Sequence, residues 1–241
     1  MADDAGHGGS PSHHAPEYWW YQARSELLRV SLSEFAAGAR IALDLGSADG
    51  PSAGWLREAI PLVASLDIDP RGLINGVCGS ALALPFADAS FDLVSAFDVI
   101  EHVEPESGAL DEIHRVLRPC GVLLMSVPAY QWAWSDHDVA NGHHRRYTRP
   151  RAVAAVERAG FTVHRATYGF TSVFPMFAAE RLIRRLRPDR HSGAVATVTV
   201  PSVPRPVHSA LVWLSRIDAA ILRRRDLPFG SSVFVAAQRH I

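Results

Sequence analysis

Apolar residues run along this chain in two alternating rhythms. Short blocks that are apolar almost throughout, "IALDL" (41–45), "LVASLDID" (62–69), "FDLVSAF" (91–97) and "GVLLMSVP" (121–128), have the length and density of strands buried on both faces. Between them lie residues 51–60 and then "PESGALDEIHRVLRP", where Leu110, Ile113, Val116 and Leu117 share one helical face. "TRPRAVAAVERAGF" is punctuated as a helix, with Thr148 at its start, Pro150 in its first turn and Gly160 as its stop. "GVC" (76–78), "FTVHRAT" (161–167) and "SSVFVAAQRH" (231–240) add three strands. Upstream, Trp20, Leu27 and Leu28 at helical spacing predict a helix within 17–38, ending at Gly38 and placed as a lid. Strands alternating with helices predict an α/β fold: a doubly wound, mostly parallel seven-stranded sheet with helices on both faces. Residues 170–228 break the rhythm with two amphipathic segments, "SVFPMFAAERLIRRLRP" and "PVHSALVWLSRIDAAILRRR". They predict a mainly helical cap inserted before a final strand in 229–241. Residues 1–16, rich in Gly, Ser, His and Pro, predict a disordered tail, and 17–241 a single domain.

Charge and composition narrow the functional classes. A net charge of -1 over 241 residues gives no basic field for general nucleic-acid binding. All 24 cationic residues are Arg, so no mechanism can use a catalytic lysine, and the Ala- and Arg-rich usage points to a GC-rich bacterial genome. Cys78 and Cys120 have no metal-ligand spacing and are expected to be buried small residues. The first 16 residues lack the apolar core of a signal peptide, and no apolar run reaches the roughly 20 residues of a membrane span. The expected location is the cytoplasm. The Arg runs "RLIRRLRP" and "ILRRR" read as solvated helix faces, with a membrane surface, a protein partner or a homodimer contact as alternatives.

The chemistry concentrates around "ALDLGSADG" (42–50). In a doubly wound sheet, ligands bind beyond the carboxyl ends of the strands. Here the first strand ends in small residues, where Gly46 and Gly50 allow close backbone approach. Asp67 ends the second strand, placed to accept hydrogen bonds from ribose hydroxyls. Asp44 and Asp49 would repel phosphate, so a cationic, phosphate-free nucleoside suits the turn better than a nucleotide. S-adenosylmethionine is such a molecule. At this point the chain resembles the class I S-adenosylmethionine-dependent methyltransferases. "LDLGSADG" stands at that family's first motif and "SLDIDP" at its second. "GSALALPFADASFDLV" matches its adenine loop and fourth strand, and "VIEHV" through "LDEIHRVLRPCGVLLMSVP" the stretch to the fifth. The resemblance covers about residues 40–168 and the last strand. It implies a Rossmann-like fold with S-adenosylmethionine as cofactor. Asp44, Gly46, Ser47, Ala48 and Gly50 would surround the methionine moiety, with Asp67 on the ribose and Ile68 against adenine. Ser80, Ala81 and Phe97 would complete the site. Ser80 stands where the family often has an acid, and Ala48 and Cys120 where it usually has Gly.

The acceptor is read by exclusion and by neighbourhood. No Asn-Pro-Pro-Tyr-like motif follows the fourth strand, no cysteine nucleophile sits there, and the Lys-containing set of ribose methylators is absent. A small-molecule acceptor remains. Glu101-His102 resembles the Glu-His step of ubiquinone-type O-methyltransferases. Residues 132–150, "WAWSDHDVANGHHRRYTRP", gather His, carboxylate, Arg and Tyr after the fifth strand. His102, His137, His143 and Tyr147 are therefore candidate catalytic groups. Tyr18, Trp19, Glu101, Tyr130, Trp134, Arg145 and Arg146 are candidate acceptor contacts. Arg145 and Arg146 have an alternative role, pairing with Asp136 and Asp138 to fix the loop. No metal site is expected, because the His/Asp spacing matches no familiar ligand pattern. The leading expectation is methyl transfer to a small molecule in bacterial natural-product biosynthesis. The alternatives are C-alkylation or ring closure on the same fold, such as cyclopropane formation, or a non-catalytic methyltransferase-like partner subunit.

Overall fold

In the computed structural model, which describes residues 17–46, 50, 52–70, 73, 75–186 and 203–240, the apolar block Ile41–Leu45 is strand β1. Ala42 to Leu45 are buried on both faces, which is why the block does not alternate. In chain order there follow β2 (Leu62–Asp67), β3 (Val77–Cys78), β4 (Phe91–Phe97), β5 (Leu117–Pro128), β6 (Phe161–Gly169) and β7 (Ser232–Arg239). The sheet order is β3-β2-β1-β4-β5-β7-β6. Pairings from β3 through β5 are parallel, and β7 runs antiparallel to both β5 and β6. Seven strands in a mostly parallel sheet match the pattern of the sequence. The tail 1–16, Ser47, Ala48 and Asp49, and the connection 187–202 lie outside the described residues.

The helices in chain order are α1 (Trp19–Leu32), α2 (Gly54–Ala59), α3 (Glu106–Val116), α4 (Asp136–Ala140), α5 (Arg149–Arg158), α6 (Phe174–Leu186) and α7 (Arg205–Leu222). The punctuation of α5 is as predicted: Thr148 Oγ1 accepts the Arg151 amide at 3.4 Å, and Gly160 takes φ +87°. α1 buries Leu27, Leu28 and Leu32 completely and packs along α7, which turns Leu211, Ala219 and Leu222 inward. The second helix of the 170–228 segment is thus a partner of the N-terminal helix. α4 forms in a polar stretch where no element was predicted, and a local motif explains it. Ser135 and Asp138 make a reciprocal capping box, with the Ser135 amide on Asp138 at 2.8 Å.

Both cysteines are exposed, correcting the expectation that they are buried. Cys78 lies on the two-residue edge strand β3, and Cys120 occupies a left-handed position (φ +62°) at the irregular start of β5. Among the described residues no helix is long and apolar enough to cross a membrane.

Candidate active site

The glycine turn leaves β1 at the carboxyl edge of the sheet. Gly46 has φ +73°, and its amide donates to Leu66 O at 2.8 Å, tying the turn to β2. A Cβ at this position would lie 2.3 Å from Val99 Cγ2, so the turn is pressed against the loop that follows β4. A side chain here would meet both backbone strain and a clash. Asp44, Leu45, Gly46, Gly50, Ser52, Ala53 and Phe97 line a small cavity at this edge. Asp44 is buried, with Arg57 on one carboxylate oxygen at 2.8 Å and Ser95 Oγ on the other at 2.9 Å. Asp67 ends β2 and accepts the Asp69 amide at 2.9 Å. Next to it Ile68 is 74% exposed, an apolar side chain left at the strand end without core to cover it. Ser80 uses its hydroxyl to accept the Leu82 amide, closing a local turn beside half-buried Ala81.

The sequence reading passed over Arg24. This residue is fully buried, pairs with Asp98 at 2.9 Å, donates to Ser126 Oγ at 3.0 Å and reaches Ser52 Oγ on the cavity wall. It shares a helical face with Trp20, Leu27 and Leu28, and a lone Arg on an apolar face was the signal available. Its guanidinium also lies over the Trp20 ring, 5.2 Å from the centroid.

Beyond β4, the loop carries Glu101 and His102 to residues from the 135–147 segment. Glu101 is fully buried, and neither carboxylate oxygen has a hydrogen-bond partner among the described residues. Burial first, and neighbouring Asp98 second, push its pKa well above the usual carboxylate range. His102 is reachable by solvent yet crowded by protein. That crowding, together with His143, pushes its pKa down to about 4, so the imidazole is neutral at physiological pH. Its ring stands edge-on to His143 with centroids 4.6 Å apart. His143 Nδ1 meets Asp138 Oδ1 at 2.8 Å, and an ionised carboxylate only accepts, so Nδ1 carries a proton and Nε2 is the nitrogen turned away from Asp138. Burial alone would raise the Asp138 pKa; the bonds from His143 and Arg146 outweigh it and hold this carboxyl far below the usual range.

Other candidates are held by the protein itself. Arg146 is buried and grips Asp138 with Nε at 2.7 Å and Nη2 at 3.1 Å, while Nη1 donates to Ala129 O. Arg145 is buried against Val103 O, Glu104 and Glu106, not Asp136. Tyr147 is fully buried and donates to Glu106; burial and that carboxylate raise its pKa. Trp19 is in the core, with Tyr18 half-buried beside it. These contacts tie Arg145, Arg146, Tyr147 and Trp19 into the protein around the site. Tyr130 stacks between Trp132 (5.9 Å) and Tyr168 (5.4 Å), with Phe174 of α6 closing over it at 5.6 Å. Trp134 is half-buried after this cluster, and exposed His137 stands on α4 with its pKa lowered chiefly by burial.

Comparison with known proteins adds to this geometry. Residues 43–125 match the family model described as a methyltransferase domain. The chain is 32% identical over 162 residues to a Mycolicibacterium smegmatis protein named a probable S-adenosylmethionine-dependent methyltransferase, with 62% of each covered. It is 31% identical over 187 residues to an uncharacterised methyltransferase of Mycobacterium leprae, covering 72% of this chain and 64% of the relative. The chain carries a methyltransferase domain at residues 43–125 and is similar to S-adenosylmethionine-dependent methyltransferases. It spans somewhat less than two thirds of the length of these curated relatives. The methyltransferase domain also superposes on the 4+2 cyclase SpnF with a TM-score of 0.59 at 18% identity, covering 98% of this chain and 88% of that one. A Burkholderia thailandensis 1,6-didemethyltoxoflavin-N1-methyltransferase gives 0.54 at 16%, covering 95% and 84%. At such identities the likeness is one of fold.

The residues present suit the family's cofactor. A left-handed glycine turn beside a small cavity, a carboxylate at the next strand end and an exposed aliphatic side chain beside it offer the surfaces a nucleoside needs. Among the described residues no basic side chain lines that cavity; Arg24 reaches the Ser52 wall. Asp44 lines the cavity with its carboxylate bonded to Arg57 and Ser95.

Proposed function

We propose that this protein transfers the methyl group of S-adenosylmethionine to a small-molecule acceptor. The observation that carries the reading is the adjacency, at the carboxyl ends of β1 and β2, of the Gly46 turn with Asp67 and exposed Ile68. Asp67 would hold the ribose hydroxyls, Ile68 and Ala81 would flank the adenine, and Gly46, Gly50 and Phe97 would border the amino-acid end. Arg24, paired with Asp98, would hold Ser52 in place beside that end. When bound, S-adenosylmethionine supplies an electrophilic methyl on a sulfonium. The protein's part is alignment of the acceptor and removal of its proton. His143, oriented by Asp138 with Nε2 turned away from it, is the base the geometry favours. His102 stays neutral and narrows the same mouth. Tyr130, Trp132 and Phe174 form an aromatic wall suited to a flat acceptor. A natural-product acceptor suits that wall, and the toxoflavin precursor handled by one structural neighbour is a small heterocycle of this kind.

Calorimetric titration with S-adenosylmethionine and S-adenosylhomocysteine tests the reading. Micromolar binding, about 8 kcal/mol at 1 μM, is expected. Asp67→Ala should weaken it by about 1–3 kcal/mol, the cost of stranding hydrogen-bonded ribose hydroxyls. No binding to either molecule would overturn the assignment.

A further inference from the structure

The Glu101 carboxylate raises a question that the methyl-transfer reading does not answer. A buried carboxylate with no hydrogen-bond partner is costly, and proteins keep one where something else meets it. Among the described residues no donor makes a hydrogen bond to either oxygen. The two imidazoles beside it supply a different kind of partner. One ligand atom each from Glu101, His102 and His143 lies within 4.8 Å of the others. Donors around an ion at about 2.1 Å stand roughly 3 to 3.5 Å apart, so closure is a matter of side-chain torsions.

Three further features suit an ion. His143 donates Nδ1–H to Asp138, the outer carboxylate that fixes the tautomer and turns Nε2 toward a metal in carboxylate–histidine–metal arrangements. Asp138 is itself held by two bonds from Arg146, so this support is rigid. The nearby charges cancel in pairs: Arg24 with Asp98 at 2.9 Å, and Arg146 with Asp138 at 2.7 Å. Neither pair engages the Glu101 carboxyl, which is left to the imidazoles beside it. Burial grades outward from Glu101 at the bottom through half-buried His143 to exposed His102, so the site opens to solvent on one side.

We propose that Glu101, His102 and His143 form a divalent metal site of two histidines and one carboxylate, suited to Zn2+ or another first-row dication. This replaces the expectation from sequence spacing that the segment holds no metal. The spacing gave no signal because two ligands come from the loop after β4 and the third from the segment after α4. A fourth position remains toward solvent, beside the loop that carries Val99 against the Gly46 turn. An oxygen or nitrogen of the acceptor is the class of ligand that would fill it, and with the ion bound His143 Nε2 is a ligand, so its role as base belongs to the metal-free protein. That last step rests on the methyl-transfer reading; the metal site does not.

Metal binding is read without cofactor or acceptor. The full chain, stripped with chelator and carrying His7, His13 and His14 as Ala to silence the N-terminal histidines, is titrated with Zn2+ by calorimetry and with Co2+ by visible absorption. One equivalent should bind with a micromolar or lower Kd, giving a Co2+ spectrum with nitrogen ligation and a raised Tm. Glu101→Gln and His143→Ala should each weaken binding at least tenfold, whereas His144→Ala, an exposed neighbour, should not. If Glu101→Gln fails to fold, His102→Ala takes its place, with the same tenfold loss expected. Absence of stoichiometric binding, or binding that the cluster variants leave intact, would overturn the proposal.

Discussion

At the scale of single residues, the frame of the site depends on buried ion pairs. Arg146 meets both oxygens of Asp138, and removing it leaves a buried carboxylate with His143 and Ser135 but no guanidinium to balance its charge. Breaking such a pair from one side costs about 3–5 kcal/mol, so Arg146→Met should lower unfolding free energy by about 3 kcal/mol in urea titrations. An intact stability would show that the pair contributes no structural support. Cys120 presents the opposite case. Its φ of +62° costs an L-residue about 1–2 kcal/mol, and its exposed thiol returns little by burial. Replacement by glycine relieves the strain and adds chain entropy to the unfolded state. Cys120→Gly should therefore be neutral to stabilising, by up to about 1 kcal/mol, as measured by denaturant midpoint. The resemblance had already set Gly at this position, and the backbone supplies the reason.

Elements are joined at their ends by a few side chains, and Asp92 is the clearest of these. One carboxylate oxygen accepts the amides of Arg40 and Ile41 at the start of β1, and the other holds Arg118 at the start of β5. Burial alone would raise its pKa, and these bonds outweigh it, so the net shift is downward. A folded-state pKa below the unfolded value contributes stability above about pH 4 that is lost as pH falls through the folded value. The stability gap between wild type and Asp92→Asn, measured by urea unfolding across pH, should be constant near neutrality and shrink below about pH 4. A gap that does not change with pH would remove the carboxylate from the acid response. Strands, α1, α5 and the glycine turn were legible in sequence because each is written in neighbouring residues: an apolar run, a periodic face, a cap, a small-residue turn. Partner choice between distant segments was not. Nothing near Arg145 in sequence shows that it turns to Glu104 and Glu106 rather than Asp136, nor that Arg24 crosses to Asp98.

For the whole molecule, the sheet order matters more than the number of strands. The carboxyl ends of β1, β2 and β4 meet at one edge, and this convergence turns scattered short motifs into a nucleoside-sized surface. The site was readable to the extent that it is built from those strand ends. The Glu101 cluster was harder, since it needs the 135–147 segment folded back over the β4 loop by the Tyr147 amide on Pro128 O and the His144 amide on Glu101 O. β7 completes the sheet by sliding between β5 and β6, with Ser232 through Ala237 buried. During synthesis, then, β5 and β6 must wait with open edges until residues as far as Arg239 have cleared the ribosome. A nascent chain halted before that strand presents two unpaired edges to any neighbour, which makes the arrival of β7 the step that commits the molecule to folding rather than aggregation.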